Sequence, residues 1–203
     1  MRIVIDTSTL ISAVLWNGPP HRLVELAEAG QVTLCATAET LQEFQEVLAR
    51  PKFASKIRER ATTVDEIVQS VLRLVALYPA VALSGFVKAD ADDDKFLACA
   101  LVAQAEYLIS SDAHLLDLES HAGIDIVTAR EFLAREFSRN LIKYQTMARR
   151  FEAKYQQPFP TFRRWILSSE PASEVEQDYF DWELAVTGIE DMEQEIKRLS
   201  ALS

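Results

Sequence analysis

Short, mostly apolar runs alternate with helical patterns along most of this 203-residue chain. The runs lie at residues 2–5, 32–35, 106–110 and 124–128, and β-branched residues are frequent in them. A strand that is apolar on both faces must be covered on both faces, which is typical of parallel sheets between helices. The sequence therefore predicts an α/β fold with a mostly parallel central sheet.

Helical patterns fill the segments between these runs. Residues 63–78 predict one long amphipathic helix, residues 80–83 a weak strand, and residues 129–137 a helix that closes the pattern. We therefore expect the α/β domain to occupy residues 1–137.

Composition limits the kind of partner that the domain can bind. Hydrophobic residues make up 49% of the chain and charged residues 26%, as in ordinary folded proteins. The formal net charge of -10 argues against a histone-like protein that holds nucleic acid through bulk basicity. A local basic patch is still compatible with this balance.

The amino terminus and the cysteines indicate the cellular compartment. Asp6 interrupts what would have to be the apolar stretch of a secretion signal, and no uncharged apolar run approaches membrane-spanning length. Cys35 and Cys99 are too few for a disulfide framework and lack CxxC spacing. We expect a cytoplasmic protein without a membrane segment.

The charge pattern changes after residue 137. Residues 139–164 hold seven Lys and Arg against the single acid Glu152, whereas residues 165–196 hold ten acids and no Lys or Arg. Such segregation indicates a separate extension over residues 138–203, basic and then acidic.

Two interpretations of the basic segment are open. Its interleaved aromatic residues are typical of an RNA-binding arm, but Tyr144, Met147, Phe151 and Tyr155 would also form the packing face of a helix. In the acidic segment a helix with a partner-binding face is predicted, because its apolar residues recur every three or four positions. These are Val175, Tyr179, Trp182, Val186, Ile189, Ile196 and Leu199.

Four acids from distant segments are candidates for one site. Asp6 and Asp112 follow predicted strands, at the sheet edge where open α/β folds bind ligands. Asp94 begins a predicted helix, directly after Asp92 and Asp93, and Glu43 lies on another. Each could also be only a helix cap or a solvated charge.

Carboxylates that cluster repel one another unless a cation lies between them. Oxygen ligands suit Mg²⁺ or Mn²⁺, which can activate water and stabilise charge on a phosphodiester. This donor set predicts hydrolysis of a nucleic-acid backbone.

The segments IVIDTSTLISAVL, ETLQEF and DADDDKFLACALVAQAEYLISSDAHLL resemble the PIN-domain ribonucleases, in particular the PIN toxins of toxin–antitoxin systems. The resemblance implies a three-layer α/β/α sandwich, dependence on Mg²⁺ or Mn²⁺, and endonucleolytic cleavage of RNA. Asp6, Glu43, Asp94 and Asp112 match the family's acids in that order. Asp92 or Asp93 could replace Asp94 as metal ligand.

Two further positions depart from the family pattern. Ser8 stands where the family usually has Asn, and Ser110 stands where it often has Thr. Both keep a polar group, so both are possible additional site residues.

The resemblance implies a metal-dependent endoribonuclease that acts as a toxin. The alternative is an inactive PIN fold that serves as an RNA-binding protein or scaffold. Residues 174–196 resemble the short acidic antitoxins encoded beside such toxins, so we expect either a separate antitoxin or an antitoxin-like tail. Such a tail would restrain the nuclease in cis, or in trans within a homodimer or higher homo-oligomer.

Overall fold

The structure is a computed structural model that describes residues 1–81 and 93–201. The chain divides into two compact units, Met1–Phe132 and Leu133–Ser203. The division falls within a single long helix, Ala129–Tyr155. The boundary predicted after residue 137 lies in the same helix.

The first unit contains the alternating strands and helices. Its strands are β1 (Arg2–Ile5), β2 (Thr33–Thr37), β3 (Val75–Tyr78), β4 (Tyr107–Ile109), β5 (Ser120–His121) and β6 (Ile124–Val127). Its helices are α1 (Thr7–Leu15), α2 (Pro19–Glu28), α3 (Ala38–Leu48), α4 (Ala54–Glu59), α5 (Val64–Leu74), α6 (Asp94–Ala103) and α7 (Ala113–Leu116), with a 3₁₀ turn at Pro51–Phe53. Helix α8 (Ala129–Tyr155) begins here.

Across the described residues the strands form one sheet in the order β3-β2-β1-β4-β6-β5. All neighbouring pairs are parallel except β5 with β6, which is antiparallel. Ile3, Val4 and Ile5 of the central strand are all buried, so both faces of the sheet are covered. The predicted fold class, a mostly parallel sheet between helices followed by a helical extension, is confirmed.

Side-chain caps fix where several helices of this unit begin. The Asp6 carboxylate accepts a hydrogen bond from the Thr9 amide at 2.6 Å and caps α1. Thr37 with Thr40, and Thr63 with Glu66, form reciprocal caps at the starts of α3 and α5.

The helix predicted over residues 63–78 is too long. It ends at Leu74, and Val75–Tyr78 forms β3, which pairs with β2 from Leu34 to Thr37. Pairing with a distant strand overrides the helical spacing of Val75, because it supplies backbone partners that only the tertiary fold brings close. Ala80 and Val81 lie in no strand, and the rest of the strand predicted at 80–83 lies outside the described residues.

The second unit is helical. Helix α8 does not end near Phe137 as predicted but continues to Tyr155, and α9 (Phe159–Ile166) and α10 (Ser173–Ala201) follow. These helices share a core of Ala148, Phe159, Phe162, Ile166, Tyr179, Trp182 and Ala185, against which Met147, Phe151, Tyr155, Val175, Val186 and Ile189 pack. The apolar face that predicted partner binding is therefore largely used within this unit.

Ion pairs connect the basic and acidic segments inside the second unit. Lys154 pairs with Asp178 and lies 3.7 Å from Glu174, and Arg163 lies 3.5 Å from Glu183. Tyr155 also donates a hydrogen bond to Asp178. The two oppositely charged segments thus neutralise each other in part.

In the part of the chain that the structure describes, no helix has the length and apolar character needed to cross a membrane.

Gly188 of α10 is in close contact with Tyr144 of α8. An added Cβ atom would lie 2.7 Å from the Tyr144 ring, so Gly188→Ala should overpack the unit. Overpacking costs about 1–3 kcal/mol, against about 1 kcal/mol gained from the better helix propensity of alanine. We expect a net loss of about 1 kcal/mol in the free energy of unfolding, measured by urea denaturation with tryptophan fluorescence.

Thr187→Ala is the matched control, because Thr187 is the exposed neighbour on the same helix. It should leave stability unchanged or raise it, since alanine is the better helix former. If Gly188→Ala stabilised the protein as Thr187→Ala does, the tight packing against Tyr144 would be contradicted.

Candidate active site at the carboxyl ends of β1 and β4

Asp6 is a buried carboxylate at the end of β1, with 3% of its surface exposed. Its Oδ1 accepts hydrogen bonds from the Thr9 amide at 2.6 Å and the Ser8 hydroxyl at 3.2 Å. Its Oδ2 accepts from the Ser110 hydroxyl and from the Ser111 amide, the latter at 3.2 Å. These donors are all neutral, so they stabilise the charged form of Asp6 without cancelling its charge.

The end of β4 connects Asp6 to Asp112. The Ser110 hydroxyl donates to Asp6 and accepts a hydrogen bond from the Asp112 amide at 2.9 Å. Asp112 in turn caps α7, where its carboxylate accepts from the His114 amide at 2.7 Å. One serine hydroxyl therefore bonds both the Asp6 carboxylate and the Asp112 backbone.

Asp94 begins α6 and is 2% exposed. Its helix packs against β1 and against α3. Asp93 occupies the N-cap position of α6 and is half-buried. Asp92, the other alternative to Asp94, lies outside the described residues.

Glu43 lies on α3 and forms an ion pair with Lys95, the residue after Asp94. Both side chains are largely shielded from solvent, with 29% of Glu43 and 19% of Lys95 exposed. The Lys95 ammonium also lies 5.7 Å from the centre of the Phe96 ring. The ammonium group of Lys95 thus lies beside Glu43 and balances its negative charge.

The structure links the predicted acids through intermediate residues. Ser110 connects the Asp6 carboxylate with the backbone amide of Asp112, and Lys95, the residue after Asp94, pairs with Glu43. Residues 1–81 and 93–201 contain no group of three or more His, Cys, Asp or Glu side chains arranged to hold a metal ion. The assignment of Asp6, Glu43, Asp94 and Asp112 as joint metal ligands therefore stays a prediction.

The chemistry of these donors fits a hard divalent cation. They are carboxylate and hydroxyl oxygens, the ligands that Mg²⁺ and Mn²⁺ prefer. A metal ion at Glu43 would take the place of Lys95 as the partner of that carboxylate.

Thiolate chemistry is disfavoured in the core behind this site. Burial raises the pKa of Cys99 to about 12, with a further contribution from Cys35, and burial also raises the pKa of Cys35. Both thiols therefore stay protonated at neutral pH and are poor nucleophiles and metal ligands.

Sequence reasoning missed Lys95, Thr9 and Ser111. The Thr9 hydroxyl donates to the Ser111 hydroxyl at 3.3 Å, and the Ser8 and Ser111 hydroxyls are 3.2 Å apart. A signal was present, since Lys95 adjoins Asp94 and Ser111 adjoins Asp112. Their partners depend on strand order, however, which the sequence does not state.

Ser110→Ala should destabilise the protein. The buried Asp6 carboxylate would lose a donor and the Asp112 amide would lose its acceptor, a cost of about 1–3 kcal/mol. Ser110→Thr is the matched control, because it keeps the hydroxyl and should cost less. Equal losses for both variants in urea unfolding would show that the hydroxyl has no such role.

The sequence profile of the PIN domain matches residues 2–114, which is more than half of the chain. No curated protein and no solved structure matches the chain. The profile covers β1 to the start of α7 and includes Asp6, Glu43, Asp94 and Asp112. The chain belongs to the PIN-domain family.

Proposed function

We propose that this protein is a Mg²⁺- or Mn²⁺-dependent endoribonuclease that acts as the toxin of a toxin–antitoxin system. The observation that carries the proposal is the buried Asp6 carboxylate, held by neutral donors at the carboxyl edge of a parallel sheet. Membership of the PIN-domain family supports nuclease activity at a coarse level. The choice of RNA over DNA and the role as a toxin rest on the resemblance to PIN toxins.

Asp6, Glu43, Asp94 and Asp112 would hold the metal, with Asp93 as an alternative to Asp94. A divalent ion in this position supplies charge neutralisation for a phosphodiester and activation of the attacking water. The chain's own residues set the geometry for this chemistry. Asp6 is held from both sides, by the start of α1 and by the end of β4, so its carboxylate has a fixed direction.

Lys95 fits this proposal as the partner that balances the charge of Glu43. A carboxylate beside other acids is strongly disfavoured unless a cation is near. The ammonium group provides that cation, and its four-carbon side chain can move aside when a metal takes its place.

We further propose that the second unit is an antitoxin-like tail that restrains the nuclease. The resemblance of residues 174–196 to short acidic antitoxins supports this role. An acidic helix can also exclude RNA by presenting like charge to phosphates. The competing proposal is that exposed basic residues of α8, such as Lys143, Arg149 and Arg150, help bind the substrate.

Asp6→Asn should remove most of the Mg²⁺-dependent cleavage of a pooled RNA substrate. Loss of one ligand carboxylate weakens metal binding and stabilisation of the transition state by several kcal/mol, so the rate should fall by about 100-fold or more. Binding of Mn²⁺, followed by electron paramagnetic resonance, should weaken in parallel.

Asp65→Asn is the control for the same chemical change, because Asp65 is exposed in the first turn of α5. It should retain full activity. An Asp6→Asn protein that cleaved RNA at the wild-type rate would refute the site assignment. A wild-type protein that bound RNA but cleaved none would favour the inactive scaffold.

Trp182→Ala tests the proposal that the second unit restrains the nuclease. Trp182 is fully buried at the centre of the second unit, and its removal costs about 3–5 kcal/mol, enough to loosen the unit. Restraint predicts faster RNA cleavage and stronger growth inhibition, whereas a substrate arm predicts a raised KM.

Phe180→Ala provides the comparison for this experiment. Phe180 lies on the same helix but is 53% exposed, so its loss removes an aromatic ring without opening the core. Its activity should equal the wild-type activity. Unchanged cleavage and unchanged KM in Trp182→Ala would contradict both roles of the tail.

A further inference from the structure

A cavity of about 210 Å³ adjoins the Asp6 site in the first unit. Hydroxyl groups dominate its polar lining, and the two prolines that begin α2 form an apolar wall. The hydroxyl groups belong to Thr9, Ser12, Ser110, Ser111 and Thr128. Arg130 also lines the cavity, and no Asp or Glu is among the described residues that do so. We call this space the hydroxyl pocket.

The charge of Asp6 orders the hydroxyl groups on one side of the pocket. An ionised carboxylate only accepts hydrogen bonds, so Ser8 and Ser110 must each give Asp6 their hydroxyl hydrogen. Ser8 then has no hydrogen left for Ser111, so Ser111 donates to Ser8. Thr9 donates to Ser111 at 3.3 Å, which completes a chain running towards Asp6.

The other hydroxyl groups of the lining also donate within the protein. Ser12 donates to the backbone carbonyl of Ser8 at 3.0 Å, and Thr128 donates to Glu131 at 2.8 Å. Each hydroxyl has one hydrogen and two lone pairs. All the hydroxyl hydrogens of the described lining are therefore committed, so these hydroxyl groups offer a ligand only lone pairs, while Arg130 gives the lining a positive charge.

A ligand that bonds to these hydroxyl groups has to supply hydrogen-bond donors. Phosphate oxygens cannot bond to them, because they only accept, although they suit the positive charge of Arg130. A ribose can, since its hydroxyl groups donate as well as accept. The volume also leaves room for a pentose, since about 210 Å³ is far more than the roughly 10–15 Å³ that a single water needs.

We propose that the hydroxyl pocket binds the ribose of a nucleotide next to the scissile phosphate and recognises its 2′-OH. Ser12 and Ser111 are the acceptors, because one is half-buried and the other exposed, so both can be reached from solvent. The 2′-OH is the group that distinguishes RNA from DNA. The inference rests on the proposed nuclease function and adds the origin of its preference for RNA.

The test compares matched oligonucleotides with the full-length protein in Mg²⁺. After the cut in an all-RNA oligonucleotide has been mapped, the nucleotides on either side are replaced singly by 2′-deoxy and 2′-fluoro forms. On one side, both forms should lower kcat/KM about ten-fold, the effect of one lost hydrogen bond of about 1.4 kcal/mol. The 2′-fluoro form should be cleaved as slowly as the 2′-deoxy form, because fluorine cannot donate a hydrogen bond.

Ser12→Ala should reduce this ten-fold penalty to near one, because the acceptor is gone. Ser70→Ala is the matched control, since Ser70 also donates to the carbonyl four residues before it, at 2.9 Å, but lies exposed on α5. It should keep the full penalty. Ser111→Ala serves as the second variant if Ser12→Ala does not fold.

The outcomes separate this inference from the proposed function. Cleavage of RNA that is unaffected by 2′ substitution on either side would overturn the ribose pocket and leave the nuclease assignment intact.

If the wild-type protein cleaves no RNA, the proposed function fails, and the pocket is then tested by binding in EDTA. Fluorescence anisotropy should give a Kd for a labelled RNA about ten-fold lower than for the same DNA sequence, a ratio that Ser12→Ala brings to near one. Equal Kd values in the wild type would overturn the pocket.

Discussion

A carboxylate buried at the end of the first strand has to be held by hydrogen bonds, because an isolated charge away from water is strongly disfavoured. Asp6 meets this requirement with donors from two directions, the start of α1 and the end of β4. The Asp6 amide also donates to the Ile109 carbonyl at 3.0 Å. The site therefore depends on β1 and β4 being neighbours, because any other strand order would leave Asp6 without the donors of Ser110 and Ser111.

The sequence correctly predicts the buried parallel strands of the sheet but not the edge strand β3. Runs such as Ile3–Ile5 are apolar on both faces, a property local to the strand, so the buried parallel sheet follows directly from the pattern. Residues 75–78 continue the apolar spacing of the helix before them, and only their pairing with β2 makes them a strand. Local periodicity cannot report such pairing, because the partner lies far away in the sequence.

In the candidate site, too, the positions of the acids in their strands and helices could be predicted, but their partners from distant segments could not. That Asp6 and Asp112 follow strands could be read from the sequence, and the structure places both there. The partners of the acids could not be read, since Ser110 is 104 residues from Asp6 and the pairing of Glu43 with Lys95 depends on how α3 meets α6. In the second unit, the spacing of the apolar residues predicted a partner-binding face. Instead, most of these residues belong to the core of the unit, and Lys154 and Arg163 pair with acids of α10.

Acidic side chains at one sheet edge need partners that stabilise their charges. This chain uses neutral donors at Asp6 and an ammonium group at Glu43, so these two carboxylates are stabilised by different means. The neutral donors have a second consequence, because each hydroxyl that turns its hydrogen towards Asp6 turns its lone pairs elsewhere. The charge of one buried carboxylate therefore sets the hydrogen-bonding character of the adjoining pocket as well as that of the site itself.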